Sequence, residues 1–176
     1  MGRFAYNARY ALRKAHYCMK TVRKSVLLHH SPQRMFDLVT GVDQYPQFLP
    51  WCDKAQVLSQ DGAGMTAQVG IALAGLHQSF TTRNTHTLAQ QPDAPTLVHM
   101  QLVDGPFSHL EGEWTFAPLG EPDEHGHVQA CKVNFTLTYA FASKTLAMLV
   151  GPVFDKIAAT MVEAFVARAD AIGQQS

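Results

Sequence analysis

The segment from Val128 to Phe141 alternates apolar and polar side chains more strictly than any other part of the chain. A period of two over this length predicts a β-strand with one face in a core and the other in solvent. Shorter alternations occur at 65–73, 78–88, 96–103 and 109–117, with short turns between them. Strands joined in this way favour antiparallel pairing, in a sheet that is covered on one side only.

The C-terminal segment Lys144 to Ile172 supplies the cover for that sheet. Its apolar residues recur at helical spacing, which predicts one long amphipathic helix: Leu146, Val150, Phe154, Ile157, Met161 and Phe165. The pair Gly151-Pro152 is predicted to kink or divide this helix, because proline lacks a backbone donor and clashes with the preceding turn.

The first strand is predicted at Thr21 to His30, and Ser31-Pro32 then supply an N-cap and a first helical residue. This short helix ends at Gly41, and Asp43 opens a second one. The pattern therefore predicts one α+β domain over residues 20–173. In it, a curved antiparallel sheet wraps around a long C-terminal helix, with two short helices after the first strand.

The charges are unevenly distributed along the chain. Residues 1–24 hold seven Lys and Arg and no acid, whereas the remainder holds seven Lys and Arg and all fourteen Asp and Glu. Such an acidic body is a poor non-specific binder of nucleic acid. The basic extension, residues 1–19, has three open interpretations: a targeting or membrane-surface segment, a nucleic-acid arm, or a start-site artefact or disordered tail before Met19.

Cysteine usage and hydropathy indicate a cytoplasmic protein that is at most peripheral to the inner membrane. The three cysteines are far apart and form no CxxC pair, which suits a reducing compartment. The longest apolar run, Leu146 to Phe154, is about half the length that a bilayer crossing requires.

The sequence predicts neither a metal site nor a catalytic residue. The nine histidines have no ligand spacing, and His125-x-His127 lies in a loop rich in Pro, Gly and acids. No GxSxG, P-loop, GxGxxG or HExxH motif occurs. We therefore expect a protein that is not an enzyme.

The inward-facing side chains are large and apolar, and the pattern alone leaves open whether they fill a core or line a cavity. They include Leu73, Phe80, Met100, Leu102, Phe107, Trp114, Phe135, Phe154, Ile157, Met161 and Phe165. Four more are crowded beside two prolines: Tyr45, Phe48, Leu49 and Trp51. This crowding predicts a cavity lid, a membrane-facing patch, or local packing on the first strand.

Several motifs occur in a family-specific order. They are YPQFLPWC at 45–52, FTTRN at 80–84, LVDGPF at 102–107 and FDKIA at 154–158. Together they resemble the coenzyme Q-binding START-domain family, and most of all its bacterial branch, labelled ribosome-association toxin A. The resemblance spans residues 20–172 and implies a START-like helix-grip fold.

The resemblance also implies a function. A member of this family would bind ubiquinone or another polyisoprenoid as a quinone chaperone supporting respiration, with no catalytic cofactor. The bacterial branch implies an alternative, a toxin that blocks the joining of ribosomal subunits. Positions 45 and 48–51 would form the lid, and Phe107 and Trp114 the rear wall. From their places within or at the ends of strands, Arg83 and Asp104 are candidates to meet a quinone head group, the alternative being a solvated pair or a turn cap.

Polyketide cyclases share the helix-grip fold, so cyclase or hydrolase chemistry is an analogy at the level of the fold alone. The expected partners are a hydrophobic small molecule, a membrane surface and a ribosomal subunit. The sequence gives no oligomeric state.

Overall fold

In the computed structural model, which describes residues 19–73 and 75–173, one sheet of seven strands holds a long C-terminal helix. The extension predicted for residues 1–19 lies outside the described residues except for Met19. The elements in chain order are β1 (Lys20–Leu28), α1 (Pro32–Thr40), a 3₁₀ helix (Val42–Gln47), β2 (Cys52–Asp61), β3 (Gly64–Leu73), β4 (Leu76–Thr87), β5 (Thr96–Asp104), β6 (Phe107–Leu119), β7 (Ala130–Phe141) and α2 (Lys144–Gly173).

The strand order is β1-β7-β6-β5-β4-β3-β2, and every neighbouring pair is antiparallel. β1 and β2 are therefore the two edges of the sheet, although they are consecutive strands in the chain. Two short helices connect these edges across the sheet, and α2 follows the last strand. The predicted α+β architecture is confirmed.

One strand has no counterpart among the predicted segments. β2 (Cys52–Asp61) pairs only with β3, and most of its side chains are exposed or half-buried. Two irregularities interrupt its register, one between Cys52 and Lys54 and the other between Val57 and Ser59. An exposed edge strand with bulges does not need alternating apolar residues, which explains why its sequence gives no strand signal.

The helix ends agree with the predicted caps. The side chain of Ser31 accepts a hydrogen bond from the backbone of Arg34, and the amide of Gly41 donates to the carbonyl of Asp37. The predicted division of α2 does not occur, because the helix continues past Pro152 to Gly173. Pro152 is exposed, and the carbonyl it leaves unpaired belongs to the solvent-exposed Met148, where water can replace the lost hydrogen bond.

α2 lies closer to one half of the sheet than to the other. Its nearest backbone neighbours are β7, β1 and α1. Two ion pairs join it to the β1 edge, Lys20 to Asp155 at 2.5 Å and Lys24 to Glu163 at 2.9 Å. Strands β3, β4 and β5 stand farther from the helix, although the inner residues of β3 from Met65 to Ile71 are buried.

Candidate ligand-binding site

Aromatic side chains fill the interior in two groups. The first group, which we call the C-terminal ring cluster, surrounds Phe165 of α2. The Phe165 ring lies 5.4 Å from Tyr45, 5.3 Å from Phe48 and 5.3 Å from Trp114, measured between ring centroids. Trp114 in turn lies 4.3 Å from Phe135. These rings pack against one another directly, so this part of the interior is a filled core.

The second group, the N-terminal ring cluster, surrounds Phe154, which lies earlier than Phe165 in α2. Its ring centroid lies 4.8 Å from Phe107, 4.7 Å from Tyr139 and 6.4 Å from Phe80. Phe154 and Tyr139 are almost completely buried. The predicted rear-wall residues Phe107 and Trp114 therefore lie in two different clusters, each closely packed.

Apolar side chains that are only half-buried lie beside these clusters. On the inner faces of β3, β4 and β5, and on α2, they pack against the core yet retain exposed surface: Leu73, Leu76, Phe80, Met100, Leu102, Leu146, Val153 and Met161. We call the space that they border the inner groove. Ile157 of α2, which was also predicted for the site, is buried.

The position of the inner groove follows from helix geometry. Asp155 and Glu163 mark the flank of α2 that pairs with β1. At about 100° per residue, Leu146, Val153 and Met161 fall on the opposite flank. That flank faces away from β1, toward the half of the sheet from which the helix stands off. The predicted site residues of α2 and of the middle strands are thus brought to the same side of the molecule.

The segment predicted as a lid divides into two parts. Leu49 and Trp51 are 1% and 6% exposed and belong to the core. Tyr45 and Phe48 are half-buried and rest on Phe165. The Tyr45 hydroxyl donates to the carbonyl of Val39 at 2.6 Å, and burial raises the pKa of this phenol.

Arg168 attaches the outer part of this segment to α2. Its guanidinium carbon lies 5.5 Å above the Phe48 ring, and its Nη2 donates to Gln47 at 3.2 Å. A cation over an aromatic face adds a modest attraction to the packing of the rings. Phe48 is therefore held from two sides while one edge stays open to solvent.

Arg83 and Asp104 do not lie together. Arg83 donates from Nη2 to both carboxylate oxygens of Asp61, the last residue of β2, at 2.8 Å. These hydrogen bonds are the largest cause of the lowered pKa of Asp61. Asp104 is exposed at the end of β5. The structure thus brings neither charge to the rings of the interior.

A cleft of about 720 Å³ is lined at the start of α2 by Leu146, which also borders the inner groove. We call this region the mouth. Gln78 and the β5–β6 turn complete its lining on the inner side, whereas Gln68, Gly70, His77 and Ser79 have the register of the outer face of the sheet. Gly105 in that turn has a φ of +140°, and a Cβ there would lie 2.7 Å from the Cβ of Phe80. Only glycine lets the turn approach the groove so closely.

The inner face of β4 carries polar residues that sequence analysis missed. Thr82 and Asn84 alternate with the outward-facing Arg83, and they are 4% and 7% exposed. The side-chain oxygen Oδ1 of Asn84 is buried and has no hydrogen-bond partner among the described residues. The period of two along β4 places Asn84 on the same face as Phe80, and this signal was available in the sequence.

Metal-ligating side chains are not clustered in the part of the chain that the structure describes. Within residues 19–73 and 75–173, no group of three or more His, Cys, Asp or Glu side chains is placed to hold a metal ion. The buried thiols of Cys52 and Cys131 have their pKa raised to about 11 by burial, which keeps them protonated near neutral pH.

Comparison with known proteins gives a family match over most of the chain. Residues 28–166 match the family described as polyketide cyclase / dehydrase and lipid transport. The ribosome association toxin RatA of Escherichia coli strain K12 is 38% identical over 151 residues, which cover 86% of this chain and 87% of that protein.

A more distant relative and a solved structure extend the comparison. The mitochondrial coenzyme Q-binding protein COQ10 homolog B of Xenopus laevis is 28% identical over 145 residues, covering 81% of this chain and 54% of that protein. A START superfamily protein from Mycobacterium smegmatis superimposes with a TM-score of 0.65 at 16% identity, covering 86% of this chain and 98% of that one. The resemblance to START-like proteins is confirmed.

Proposed function

We propose, because this chain belongs to the polyketide cyclase / dehydrase and lipid transport family, that its hydrophobic ligand is a polyisoprenoid quinone such as ubiquinone, held in the inner groove. The observation that carries this proposal is the row of half-buried apolar side chains between α2 and strands β3–β5. These side chains keep exposed apolar surface that a hydrophobic ligand would cover. The relative named as a coenzyme Q-binding protein supports the choice of a quinone.

The chemistry of the inner groove suits a prenyl chain. Its bordering side chains are hydrocarbon, aromatic or thioether groups. Transfer of apolar surface from water into such surroundings stabilises a complex by about 0.8 kcal/mol for each buried methylene. A ligand with several isoprene units therefore needs few polar contacts, and the charges of Arg83 and Asp61 can remain on the outside.

We propose further that the protein carries its ligand without changing it chemically. General acid–base catalysis needs titratable groups within hydrogen-bond reach of the reacting atoms. The titratable groups nearest to the N-terminal ring cluster, Tyr139 and Asp155, bond to each other, and Asp155 also pairs with Lys20 at the surface. A chaperone that holds a quinone for respiratory enzymes fits this arrangement.

Delivery would occur at a membrane surface, with the protein in the cytoplasm and peripheral to the inner membrane. Met148 and Leu149 are 79% and 67% exposed in the first turns of α2, shortly after Leu146 in the chain. α2 itself is long and apolar enough to cross a bilayer by length and composition. However, one face of α2 is buried by the sheet and its rings, which supports a core helix whose first turns touch the membrane.

The first experiment is to identify what the protein carries. The full chain is purified from a quinone-producing host, extracted with organic solvent, and the extract is analysed by mass spectrometry. We expect ubiquinone or another polyprenyl compound at close to one molecule per chain. Protein that carries no such compound, and that takes up none from vesicles containing ubiquinone, would contradict the proposal.

A second candidate function is favoured by the name of a close relative. The Escherichia coli protein is named a ribosome association toxin, and its sequence matches across most of both chains. The alternative proposal is that this protein blocks the joining of ribosomal subunits.

The surface charge of residues 19–173 opposes that alternative. The ten Lys and Arg residues of this part are outnumbered by fourteen Asp and Glu. Lys20, Lys24 and Arg83 are already paired with carboxylates. Binding to ribosomal RNA needs cations that are free to neutralise phosphates. Sedimentation of ribosomal subunits at low magnesium, with and without added protein, tests it: unchanged joining would rule the toxin function out.

A further inference from the structure

We propose that the side-chain amide of Asn84 is the polar subsite of the inner groove, where it bonds a hydroxyl or carbonyl group at one end of an otherwise apolar ligand. This inference rests on the proposed function and deepens it, because it fixes which end of the ligand lies deep in the groove. It replaces Arg83, which is held on the outer face by Asp61, as the residue that recognises the head group.

The strand register places Asn84 on the inner face. It pairs directly with Met65 of β3 on one side and Met100 of β5 on the other, and directly paired residues of antiparallel strands share a face. Met65 is buried, and Met100 is one of the half-buried residues that border the inner groove. Met100 pairs in turn with Gly112, whose missing side chain leaves the space that the Met100 methyl group occupies.

The hydrogen-bonding state of Asn84 points to a missing partner. Asn84 is only 7% exposed, yet its Oδ1 has no donor within the part of the chain that the structure describes. Buried side-chain oxygens nearly always have a partner, since leaving one unpaired costs the full desolvation of the group. An apolar side chain at this position would avoid that loss. A ligand that supplies the missing hydrogen-bond partner would account for the unpaired amide oxygen.

The surroundings of β4 set the direction in which the ligand lies. Beyond Asn84, His86 meets the Phe36 ring edge-on at 5.6 Å, and α1 closes the inner face there. In the other direction Phe80 lies four residues, or about 13 Å, along the strand. The hairpin residues Leu73 and Leu76 and the mouth follow. The polar group would thus lie deep beside Asn84, with the apolar tail directed past Phe80 toward the mouth.

The amide defines the chemistry that it can recognise. Its oxygen accepts from a hydroxyl, and a half-turn of the amide presents two N–H donors to a carbonyl instead. It carries no charge, so it gives no advantage to a carboxylate or a phosphate. The ligand class is therefore a neutral, oxygen-bearing head on a hydrocarbon body, which includes quinones, their reduced hydroquinones and prenyl alcohols.

The test compares two probes that share a tail and differ in the head: decylubiquinone, and decylbenzene without ring oxygens. Binding is measured as uptake of each probe from vesicles by the full chain, quantified by mass spectrometry of solvent extracts of the re-isolated protein. We expect the wild type to prefer decylubiquinone by about fivefold, the size expected for one net hydrogen bond. In Asn84→Leu the preference should disappear, through weaker binding of decylubiquinone only.

The matched control is Thr85→Val, the adjacent position on the outer face, which should keep the wild-type preference. Thermal melting shows whether Asn84→Leu is folded, and Asn84→Ala replaces it if it is not. A wild type that binds both probes equally, or a folded Asn84 variant that keeps the preference, overturns the inference while the proposed function stands. A wild type that binds neither probe overturns both.

Discussion

The ring of Phe48 meets the ring of Phe165 edge-on, with 5.3 Å between their centroids and 77° between their planes. This contact joins the 3₁₀ segment to the C-terminal half of α2, and Arg168 covers the other side of Phe48. Phe48 nevertheless keeps exposed surface, whereas Trp51, three residues later, is almost completely buried. The two aromatic residues should therefore respond differently to truncation.

The lid prediction requires Phe48→Ala to lower ligand loading severalfold. Because its side chain is only half-buried, we expect the free energy of unfolding to fall by no more than about 1–2 kcal/mol. Trp51→Ala is the control and should reduce the free energy of unfolding by about 3–5 kcal/mol, as expected for a large core side chain. Urea denaturation and mass spectrometry of the bound ligand measure both effects. Equal destabilisation by the two variants, with loading reduced only in proportion, would make Phe48 an ordinary core residue.

A second prediction concerns the hydrogen bond from the Tyr139 hydroxyl to Asp155 at 2.5 Å, which joins β7 to α2. Tyr139→Phe should lower the free energy of unfolding by about 1–2 kcal/mol, because a buried hydroxyl bonded to a partly exposed carboxylate is lost. Urea denaturation at pH 8 measures this loss. If the variant is as stable as the wild type, the hydrogen bond is not a significant link between sheet and helix.

The same tyrosine gives a dependence on alkaline pH. Burial, together with the neighbouring Asp155, raises the pKa of Tyr139 in the folded protein. The unfolded chain ionises first as the pH rises past about 10, so the stability present below pH 10 is lost above it. Tyr139→Phe should reduce this alkaline loss without abolishing it, because the pKa of Tyr45 is raised in the same direction. A matched Tyr45→Phe variant should remove a further part, and the buried thiols of Cys52 and Cys131, whose pKa is also raised, contribute to the rest.

Much of the fold could be predicted from the sequence because its strongest signals are local. The alternation in β7 and the helical spacing in α2 arise from side chains that must face one common core. The caps at Ser31 and Gly41 arise from the unpaired backbone groups at the ends of α1. These features depend on residues only a few positions apart, so they can be predicted from the sequence without the tertiary structure.

The rest depends on pairings between distant positions. β2 has no alternation because one of its edges is free. Asp61 is the partner of Arg83, but it lies 22 residues earlier, and nothing in the pattern links the two. The sequence also left open whether the apolar set forms a core or a groove. That answer depends on which half of the sheet α2 approaches, and the ion pairs of Lys20 and Lys24 with the helix contribute to that choice.

A third prediction separates the two interpretations of Arg83. Hydrogen bonds from Arg83 and from the backbone lower the pKa of Asp61 below its ordinary value. Stability from this group is therefore present above the unfolded pKa of about 3.9 and is lost as the pH falls through the lower folded pKa. Asp61→Asn should flatten the pH dependence of unfolding below about pH 4 and leave ligand content unchanged.

Arg83→Gln should likewise leave the ligand content of the purified protein unchanged, since the guanidinium is turned toward Asp61 and not toward the rings. Quantifying the extracted ligand per chain checks this directly. A marked loss of ligand in Arg83→Gln, without a matching loss in Asp61→Asn, would indicate that Arg83 binds the head group after all.

The last prediction concerns the exposed apolar residues in the first turns of α2. Met148 and Leu149 expose 79% and 67% of their surface, although α2 continues into a buried helix within one turn. If these side chains enter a bilayer, each gains about 1.5 kcal/mol or more on burial. The double variant Met148→Ser/Leu149→Ser should therefore bind at least about tenfold more weakly to vesicles of phosphatidylcholine and phosphatidylglycerol in a flotation assay.

The chain offers a matched control for this surface. Leu27 on β1 is also 69% exposed but lies on the opposite flank of α2 from the mouth. Leu27→Ser also removes an exposed apolar side chain, but away from the first turns of α2. We therefore expect it to leave flotation unchanged. Ligand transfer between vesicles should slow in the double variant while ligand binding in solution stays the same, since neither residue reaches Asn84 or Phe80. Equal effects of the two variants would show that the mouth has no special role at the membrane.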